Sequence, residues 1–189
     1  MFLSLHRRGA AWLGFPRYKR GGEGQCRRDE SRPKRPRYDA SNRAKLRWSK
    51  FGMESDATWW LESPNGQEIG GGGLSATLRD YGRFGLFFMN GGVVKGEKVL
   101  PESWITDAGS SKMIAGKNVN YGYMWWIPDA SANPVHGGAL LARGIFGQFI
   151  YLNPVERIVV VVWSARPKPT GTDTVNDEDF FAAVVKALH

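Results

Sequence analysis

The chain has 189 residues, of which 42% are hydrophobic, and it contains eight tryptophans. These values are typical of one globular domain and exclude a chain that is disordered throughout. No stretch approaches the roughly 18 consecutive apolar residues that a membrane-spanning helix requires. Because Cys26 is the only cysteine, an internal disulfide is excluded.

The formal net charge of +8 comes from the N-terminal part of the chain. Residues 1–50 hold 15 of the 26 Lys and Arg but only 4 of the 18 Asp and Glu, which leaves a local balance of +11, whereas the remainder has a balance of −3. Residues 1–45 are rich in Arg, Gly and Pro and have little apolar periodicity. We therefore predict a basic, disordered arm over residues 1–45 and a folded body over residues 46–189.

The arm leaves two further alternatives open. A basic segment can bind phosphate backbones by releasing counterions, and Tyr18, Tyr38 and Trp48 are suited to stacking on bases, although no base-reading module accompanies them. The other alternative is that the arm is not native coding sequence.

The first residues also lack the order of a secretion signal, because their apolar residues precede the charged ones, so we expect a cytoplasmic location by default.

The first helix of the body is predicted to follow Ser75, which would cap it, and to end at Asn90-Gly91-Gly92. Apolar or small residues lie on one face of this segment at helical spacing. They are Leu78, Tyr81, Phe84, Gly85 and Phe88. A proline in the first turn predicts a short second helix that starts at Pro101–Trp104.

Two strand predictions follow in the second half of the chain. The aromatic segment Tyr121–Ile127 is predicted to be one strand that Pro128 closes. Ala142–Tyr151 is predicted to be a strand that contains Gly144 and Gly147, and a glycine inside a strand indicates a bulge or a close approach to a ligand. Its hairpin partner, residues 157–165, is almost entirely apolar, which predicts a strand with helices on both faces.

A last helix is predicted near the C-terminus, with Phe180, Phe181, Val184, Val185 and Leu188 on one stripe. Its acidic residues lie at the predicted N-terminus and Lys186 at the other end, as the helix dipole favours. Helices and antiparallel strands together predict an α+β fold in which helices cover the sheet.

Other motifs give little evidence of a cofactor or metal. Gly70–Gly73 precedes a helix, but no Gly-Lys-Ser or Gly-Lys-Thr follows, so we expect a tight packed turn and not a phosphate site. His136 has no paired metal ligands nearby in the sequence. We therefore expect no metal and no cofactor, and we place His136 in a surface loop.

Four blocks in the body resemble the penicillin-recognising serine hydrolases of the β-lactamase and transpeptidase-like fold. The closest likeness is to the branch with class C β-lactamases, related esterases and 6-aminohexanoate-dimer hydrolases. The blocks are Phe51–Ala57, Gly71–Tyr81, Tyr121–Trp126 and Gly144–Gln148. Their order predicts that residues 46–189 are the C-terminal portion of this fold.

The resemblance implies acyl transfer, in which a Ser three positions before a Lys attacks an amide or ester and a Tyr assists proton movement. A nearby base has to activate the serine, and a backbone N–H on the sheet stabilises the oxyanion. Ala142-Arg143-Gly144 would stand where β-lactamases have Lys-Thr-Gly. This alignment makes Gly144 and Ile145 the catalytic candidates, with the N–H of Ile145 as oxyanion donor.

The same resemblance gives three substrate-binding candidates, Trp126, Phe146 and Gln148. For any single tryptophan a core position is the commoner outcome, and close packing alone would also explain Gly144 and Gly147. The missing Lys and Thr argue against recognition of a β-lactam carboxylate. They favour an esterase or amidase, with short linear amides among the candidate substrates.

The nucleophile of the family is not found in this chain. The Ser-x-x-Lys spacing occurs at Ser31–Lys34, but Pro33 opposes the helix on which such a pair is displayed, and the motif lies too close to the Phe51 block. Tyr38 near Ser41 fails the same test of position. We therefore expect a truncated hydrolase with little or no activity of its own.

Two alternatives to the hydrolase remain open. The first is a nucleic-acid-associated protein that acts through the arm. The second is an interaction module that pairs with a missing half of the fold supplied by another chain, because an incomplete sheet leaves edges and apolar faces unpaired. The oligomeric state is not predicted.

Overall fold

A seven-stranded antiparallel sheet is the centre of the fold. The computed structural model describes the backbone of residues 2–6 and 10–11, and residues 51–63, 66–69, 72–169 and 175–189 in full. In chain order the strands of this sheet are β1 (Phe2–His6), β2 (Ala10–Ala11), β9 (Tyr121–Gly122), β10 (Trp125–Trp126), β11 (Leu140–Arg143), β12 (Phe149–Asn153) and β13 (Ile158–Val162). Their spatial order is β2-β1-β13-β12-β11-β10-β9.

Three small two-stranded sheets, three α-helices and the 3₁₀ helix Pro134–His136 make up the other elements of the described part. The small sheets pair β3 (Thr58–Trp59) with β4 (Leu74–Ser75), β5 (Val93–Val94) with β6 (Glu97–Lys98), and β7 (Lys112–Ile114) with β8 (Lys117–Val119). The helices are α1 (Leu78–Met89), α2 (Trp104–Ala108) and α3 (Asp177–Lys186). The α+β prediction, an antiparallel sheet covered by helices, is confirmed.

The sheet has a hydrophobic core on each face, because its middle strands alternate their side chains between α1 and α3. Phe87 and Phe88 of α1 pack on the face that carries Val159 and Val161. Phe181 of α3 packs on the opposite face, where its ring stacks on Tyr151 with centroids 4.7 Å apart. The prediction that the last apolar strand is covered by helices on both sides is therefore confirmed.

The contact between α1 and the sheet is close at Gly85. A Cβ atom built on Gly85 would lie 2.5 Å from Cγ1 of Val159. The helix interior tolerates a glycine at a modest cost, and here the missing side chain lets the helix backbone approach the strand. The apolar periodicity predicted this helical face, and the structure confirms it.

The strand predicted over Ala142–Tyr151 is wrong. Its first residues are the end of β11, its last residues are the start of β12, and Gly144–Gln148 forms the turn that joins the two. Gly147 has a φ of +82°, which glycine adopts freely and other residues avoid. The two glycines therefore mark a hairpin turn and not a bulge inside one strand.

The strand predicted over Tyr121–Ile127 is also corrected. It is a hairpin of β9 and β10 whose turn residues, Tyr123 and Met124, have φ values of +46° and +71°. Two consecutive residues with positive φ are the mark of a type I′ turn, which usually contains Asn or Gly. Neither residue is of that kind, so this turn could not be found from turn composition.

This turn gives a stability prediction. Met124→Gly is expected to raise the free energy of unfolding by about 0.5–1 kcal/mol, because glycine removes the left-handed strain at a position where the methionine side chain is mostly exposed. The gain is partial because the unfolded chain becomes more flexible. Urea denaturation measures it. An unchanged or lower midpoint would show that the hydrogen bond from the Tyr121 hydroxyl to Sδ of Met124, 3.4 Å long, outweighs the strain.

Part of the predicted basic arm lies in the sheet. β1 pairs with β13 and β2 pairs with β1, so residues 2–6 and 10–11 differ from the disorder predicted for residues 1–45. Edge pairing with an apolar strand satisfies backbone groups that would otherwise be exposed. The rest of the arm, with Cys26, Tyr18, Tyr38, Trp48 and the Ser31–Lys34 motif, lies outside the described residues.

No helix among the fully described residues has the length and apolar character needed to cross a membrane.

Candidate active site

Four of the five predicted site residues lie in the turn between β11 and β12. The N–H of Gly144 donates to the carbonyl of Gln148 at 2.7 Å, and the N–H of Gly147 donates to the carbonyl of Gly144 at 3.2 Å. The second bond closes a β-turn whose central residues are Ile145 and Phe146. We call residues 144–148 the site loop.

The N–H of Ile145 takes part in none of the hydrogen bonds within the site loop. The bond that closes a β-turn joins its first and last residues, so the N–H of the first central residue is not used. Within the described ranges, the amide of Ile145 has no acceptor. The Ile145 side chain is 61% exposed. An amide in this state can donate to a ligand, and its role as oxyanion donor stays a prediction.

Trp126 lies on the strand next to the site loop. It stands opposite Leu141 in the pairing of β10 with β11, three residues before Gly144. Its side chain is 49% exposed, and its ring lies 4.7 Å from that of Tyr121. Trp126 is therefore not a core residue, whereas its neighbour Trp125 is buried. Phe146 is also exposed, so both aromatic candidates are accessible to a substrate.

Close packing surrounds both glycines of the loop. A Cβ atom on Gly144 would lie 2.6 Å from Oε1 of Gln148, and one on Gly147 would lie 2.5 Å from Nε of Arg166. These distances support the alternative explanation, in which both glycines are there because close packing leaves no room for a side chain. The packing occurs at a turn and not inside a strand. The Gln148 side chain makes two bonds within the protein, to the N–H of Phe146 and to the carbonyl of Ser164.

Asp80 is a buried residue that sequence reasoning missed. Its side chain is 0% exposed, and it accepts hydrogen bonds from the N–H groups of Glu54 and Ser55, at 2.8 and 3.1 Å, and from Oγ1 of Thr77 at 2.9 Å. Asp80 thus joins the Phe51 block to the start of α1. These two segments are two of the four blocks that carry the family resemblance.

The predicted cap of α1 is corrected by the same contacts. Thr77, and not Ser75, is the N-cap residue, because its Oγ1 accepts from the N–H of Asp80 at 3.1 Å. Ser75 belongs to β4 and pairs with Thr58. The Thr77-x-x-Asp80 spacing is the Ser/Thr-x-x-Asp/Glu pattern of a helix start, and it was the sequence signal that could have located the cap.

Glu54 adds charged contacts at the surface of this junction. It accepts a hydrogen bond from Arg83 and another from Arg79 at 3.4 Å. The hydrogen bond from the Arg83 guanidinium lowers the pKa of Glu54, so the carboxylate stays charged in neutral solution. Exposed ion pairs contribute little to stability, so the buried bonds to Asp80 dominate at this junction.

A buried polar network lies under α3, on the face of the sheet that carries Tyr151. The Tyr151 hydroxyl is 3.1 Å from Nδ1 of His136 and 3.2 Å from Nδ2 of Asn153. Burial raises the pKa of Tyr151, which keeps the phenol protonated at neutral pH. His136 is almost completely buried, so its predicted place in a surface loop is wrong, because the 3₁₀ turn Pro134–His136 directs it inward.

The fully described residues contain no group of three or more His, Cys, Asp or Glu side chains arranged to hold a metal ion. The Gly70–Gly73 turn lies partly outside the described residues. Gly73 has a φ of +85°, and a Cβ there would lie 2.8 Å from Cβ of Trp60. This part of the turn packs closely, as expected from the sequence.

Comparison with known proteins places this arrangement in a family. A family model described as Beta-lactamase matches residues 14–183. The 6-aminohexanoate-dimer hydrolase of Paenarthrobacter ureafaciens is 30% identical over 132 residues, which are 65% of this chain and 32% of that enzyme. The solved structure of the "Putative 6-aminohexanoate-dimer hydrolase from Bacillus anthracis" aligns with a TM-score of 0.62 and 28% identity, over 75% of this chain and 36% of that one.

The chain spans about a third of the length of these relatives. The match to the family model begins at residue 14, upstream of residue 46, where the four sequence blocks place the start of the resemblance. The relatives share the branch that the blocks indicated, and their partial coverage fits a C-terminal portion. This chain belongs to the beta-lactamase family.

Proposed function

We propose that the site loop is the oxyanion-binding part of a serine hydrolase that cleaves an amide or ester through an acyl-enzyme. The observation that carries the proposal is the amide of Ile145, which lies at the first central position of an exposed turn and has no acceptor among the described residues. A fixed N–H aimed at a developing oxyanion contributes roughly 3–4 kcal/mol to the transition state in other hydrolases.

The surroundings of this amide favour a linear amide or ester substrate. Ala142-Arg143-Gly144 replaces the Lys-Thr-Gly of β-lactamases, and the exposed rings of Phe146 and Trp126 offer apolar contacts close to the loop. Both matched relatives carry the name 6-aminohexanoate-dimer hydrolase. A short linear amide of this type is therefore the substrate that we propose for the whole site.

We further propose that this chain is truncated relative to an active enzyme and has little activity alone. Within its 189 residues, the Ser-x-x-Lys spacing occurs only at Ser31–Lys34, with Pro33 inside it. Proline in a helix interior removes a hydrogen bond and clashes with the preceding turn. A serine without a base at hydrogen-bonding distance is a poor nucleophile.

Two experiments test the two parts of this proposal separately. The first measures the activity of the isolated chain, and the second measures activity after the missing portion of the fold has been supplied. The isolated chain is expected to show no burst with p-nitrophenyl acetate and no serine labelling by a fluorophosphonate probe. Labelling of any serine would contradict the inactivity, and Ser31→Ala would show whether Ser31 is responsible.

In the second experiment, this chain is co-expressed with the N-terminal portion of the Paenarthrobacter enzyme that lies outside the match. Hydrolysis of 6-aminohexanoate dimer is expected to appear and to fall by about 10²–10³-fold in Ile145→Pro, which lacks the N–H. Proline is favoured at this turn position, and Ile145→Ala, which keeps the N–H, is the matched control. Equal activity in the two variants would remove the oxyanion role.

The two other functions stay alternatives. Nucleic-acid binding through residues 1–50 is supported by their balance of +11, and it requires salt-dependent affinity that removal of these residues abolishes. Pairing with a missing half supplied by another chain is supported by exposed apolar side chains at Trp126, Ile145 and Phe146. A chain that stays monomeric in light scattering, with or without the N-terminal portion, would argue against this pairing.

A further inference from the structure

The Gln148 side chain uses both ends of its amide inside the protein. Its Oε1 accepts from the N–H of Phe146 at 3.2 Å, and its Nε2 donates to the carbonyl of Ser164 at 2.5 Å. Ser164 lies two residues beyond the end of β13. Gln148 therefore connects the tip of the site loop to the segment that follows β13.

A second connection holds the other side of the loop. The N–H of Arg166 donates to the carbonyl of Phe146 at 3.1 Å. The Arg166 guanidinium forms a paired ion contact with Asp177 at the start of α3 and lies 5.4 Å from the centre of the Phe149 ring. The loop is thus attached to the segment that follows β13 and, through it, to a helix.

These bonds fix each peptide group around Ile145. The C=O and N–H of a trans peptide lie in one plane and point in opposite directions, so a bond to either atom orients the other. The peptide that carries the N–H of Ile145 is held through the Gly144 carbonyl, which accepts from Gly147. The next peptide is held through the N–H of Phe146, which donates to Gln148.

We propose that Gln148 is a positioning residue, which orients the N–H of Ile145 and does not itself contact the substrate. This inference rests on the proposed function of the site loop and replaces substrate binding as the role of Gln148. Both polar ends of its side chain are already bonded, and the absence of a Cβ on Gly144 leaves the space that Oε1 occupies.

The test compares variants of the full chain by ¹⁵N–¹H NMR. Gln148→Met keeps the side-chain length and removes both bonds, whereas Gln148→Glu keeps an acceptor for the N–H of Phe146 and loses the donor to Ser164. Asn133→Ala is the matched control, because it removes the side-chain bond to the N–H of Val135 that caps the 3₁₀ turn Pro134–His136. This turn is bonded to Asn153, at the end of β12 opposite the loop. The probe is 6-aminohexanoate dimer.

In Gln148→Met, we expect hydrogen exchange at Phe146 to accelerate at least about tenfold and the shift of the Ile145 amide on adding the dimer to disappear. Gln148→Glu should retain the protection of Phe146 to within about threefold, and Asn133→Ala should change neither signal. Wild-type exchange and an unchanged Ile145 response in Gln148→Met would overturn the proposal.

The response of the Ile145 amide in the wild type separates this inference from the proposed function. If the wild-type Ile145 amide does not respond to the dimer, the site loop of this chain alone does not bind the proposed substrate. The exchange rate of Phe146 then decides the positioning role alone. Acceleration in Gln148→Met but not in Asn133→Ala supports this role, and a Gln148→Met rate equal to that of the wild type contradicts it.

Discussion

Replacing Asp80 with alanine is expected to lower the free energy of unfolding by about 3–5 kcal/mol, the range for breaking a buried charged network. Asp80 is fully buried and accepts from Glu54, Ser55 and Thr77. Alanine would remove the acceptor of these three donors, and each buried donor that loses its acceptor costs about 1–3 kcal/mol. Urea denaturation followed by circular dichroism measures the change.

Asp80→Asn is the matched control for this prediction. Asparagine has nearly the same volume and retains one acceptor oxygen, but its NH₂ would face a donor. We expect the free energy of unfolding of Asp80→Asn to lie between that of the wild type and that of Asp80→Ala. A loss below about 1 kcal/mol in Asp80→Ala would show that solvent replaces the carboxylate, and that the Phe51 block does not depend on Asp80.

The helices could be predicted from sequence because their signals are local. The apolar spacing from Leu78 to Phe88 and the turn at Asn90-Gly91-Gly92 define α1 closely. The acidic start of α3 and its Lys186 likewise mark both of its ends. The apolar run at residues 158–162 indicated a strand covered on both faces, because only such a strand lacks a polar side.

The hairpins were mistaken for strands because their turns lack the usual turn residues or resemble strand interiors. Tyr123 and Met124 are aromatic and apolar, yet both have positive φ, and packing of the Tyr123 ring against Trp104, 5.3 Å away, accompanies this conformation. Ile145 and Phe146 also favour strands. At Tyr123 and Met124 no local signal marked the turn, whereas at Gly144 and Gly147 the glycines were a turn signal that was interpreted as a bulge.

The candidate site was predictable only as a segment. The resemblance located Gly144, Ile145, Phe146 and Gln148 together, and the structure places all four in one loop. It did not indicate that the side chain of Gln148 points back to Phe146 and Ser164. Asp80 was missed because burial of a carboxylate depends on amides 25 and 26 residues away, which a local pattern does not reveal.

Gly147→Ala is expected to lower the free energy of unfolding by about 2–4 kcal/mol. Two costs combine, because a φ of +82° is unfavourable for alanine by about 1–2 kcal/mol, and the new Cβ would lie 2.5 Å from Nε and 2.7 Å from Cδ of Arg166. Arg166 has little freedom to move, since Asp177 and Phe149 hold its side chain. Urea denaturation again gives the magnitude.

Gly116→Ala separates the two costs. Gly116 has a φ of +75° with no atom within 4 Å of a built Cβ, so alanine there should lose only the backbone term of about 1–2 kcal/mol. Combining Gly147→Ala with Arg166→Ala should remove the clash. The free energy lost in the double variant should then be smaller than the sum of the losses in the two single variants. Equal losses for Gly147→Ala and Gly116→Ala would show that the Arg166 side chain yields freely and that close packing adds nothing to the cost at Gly147.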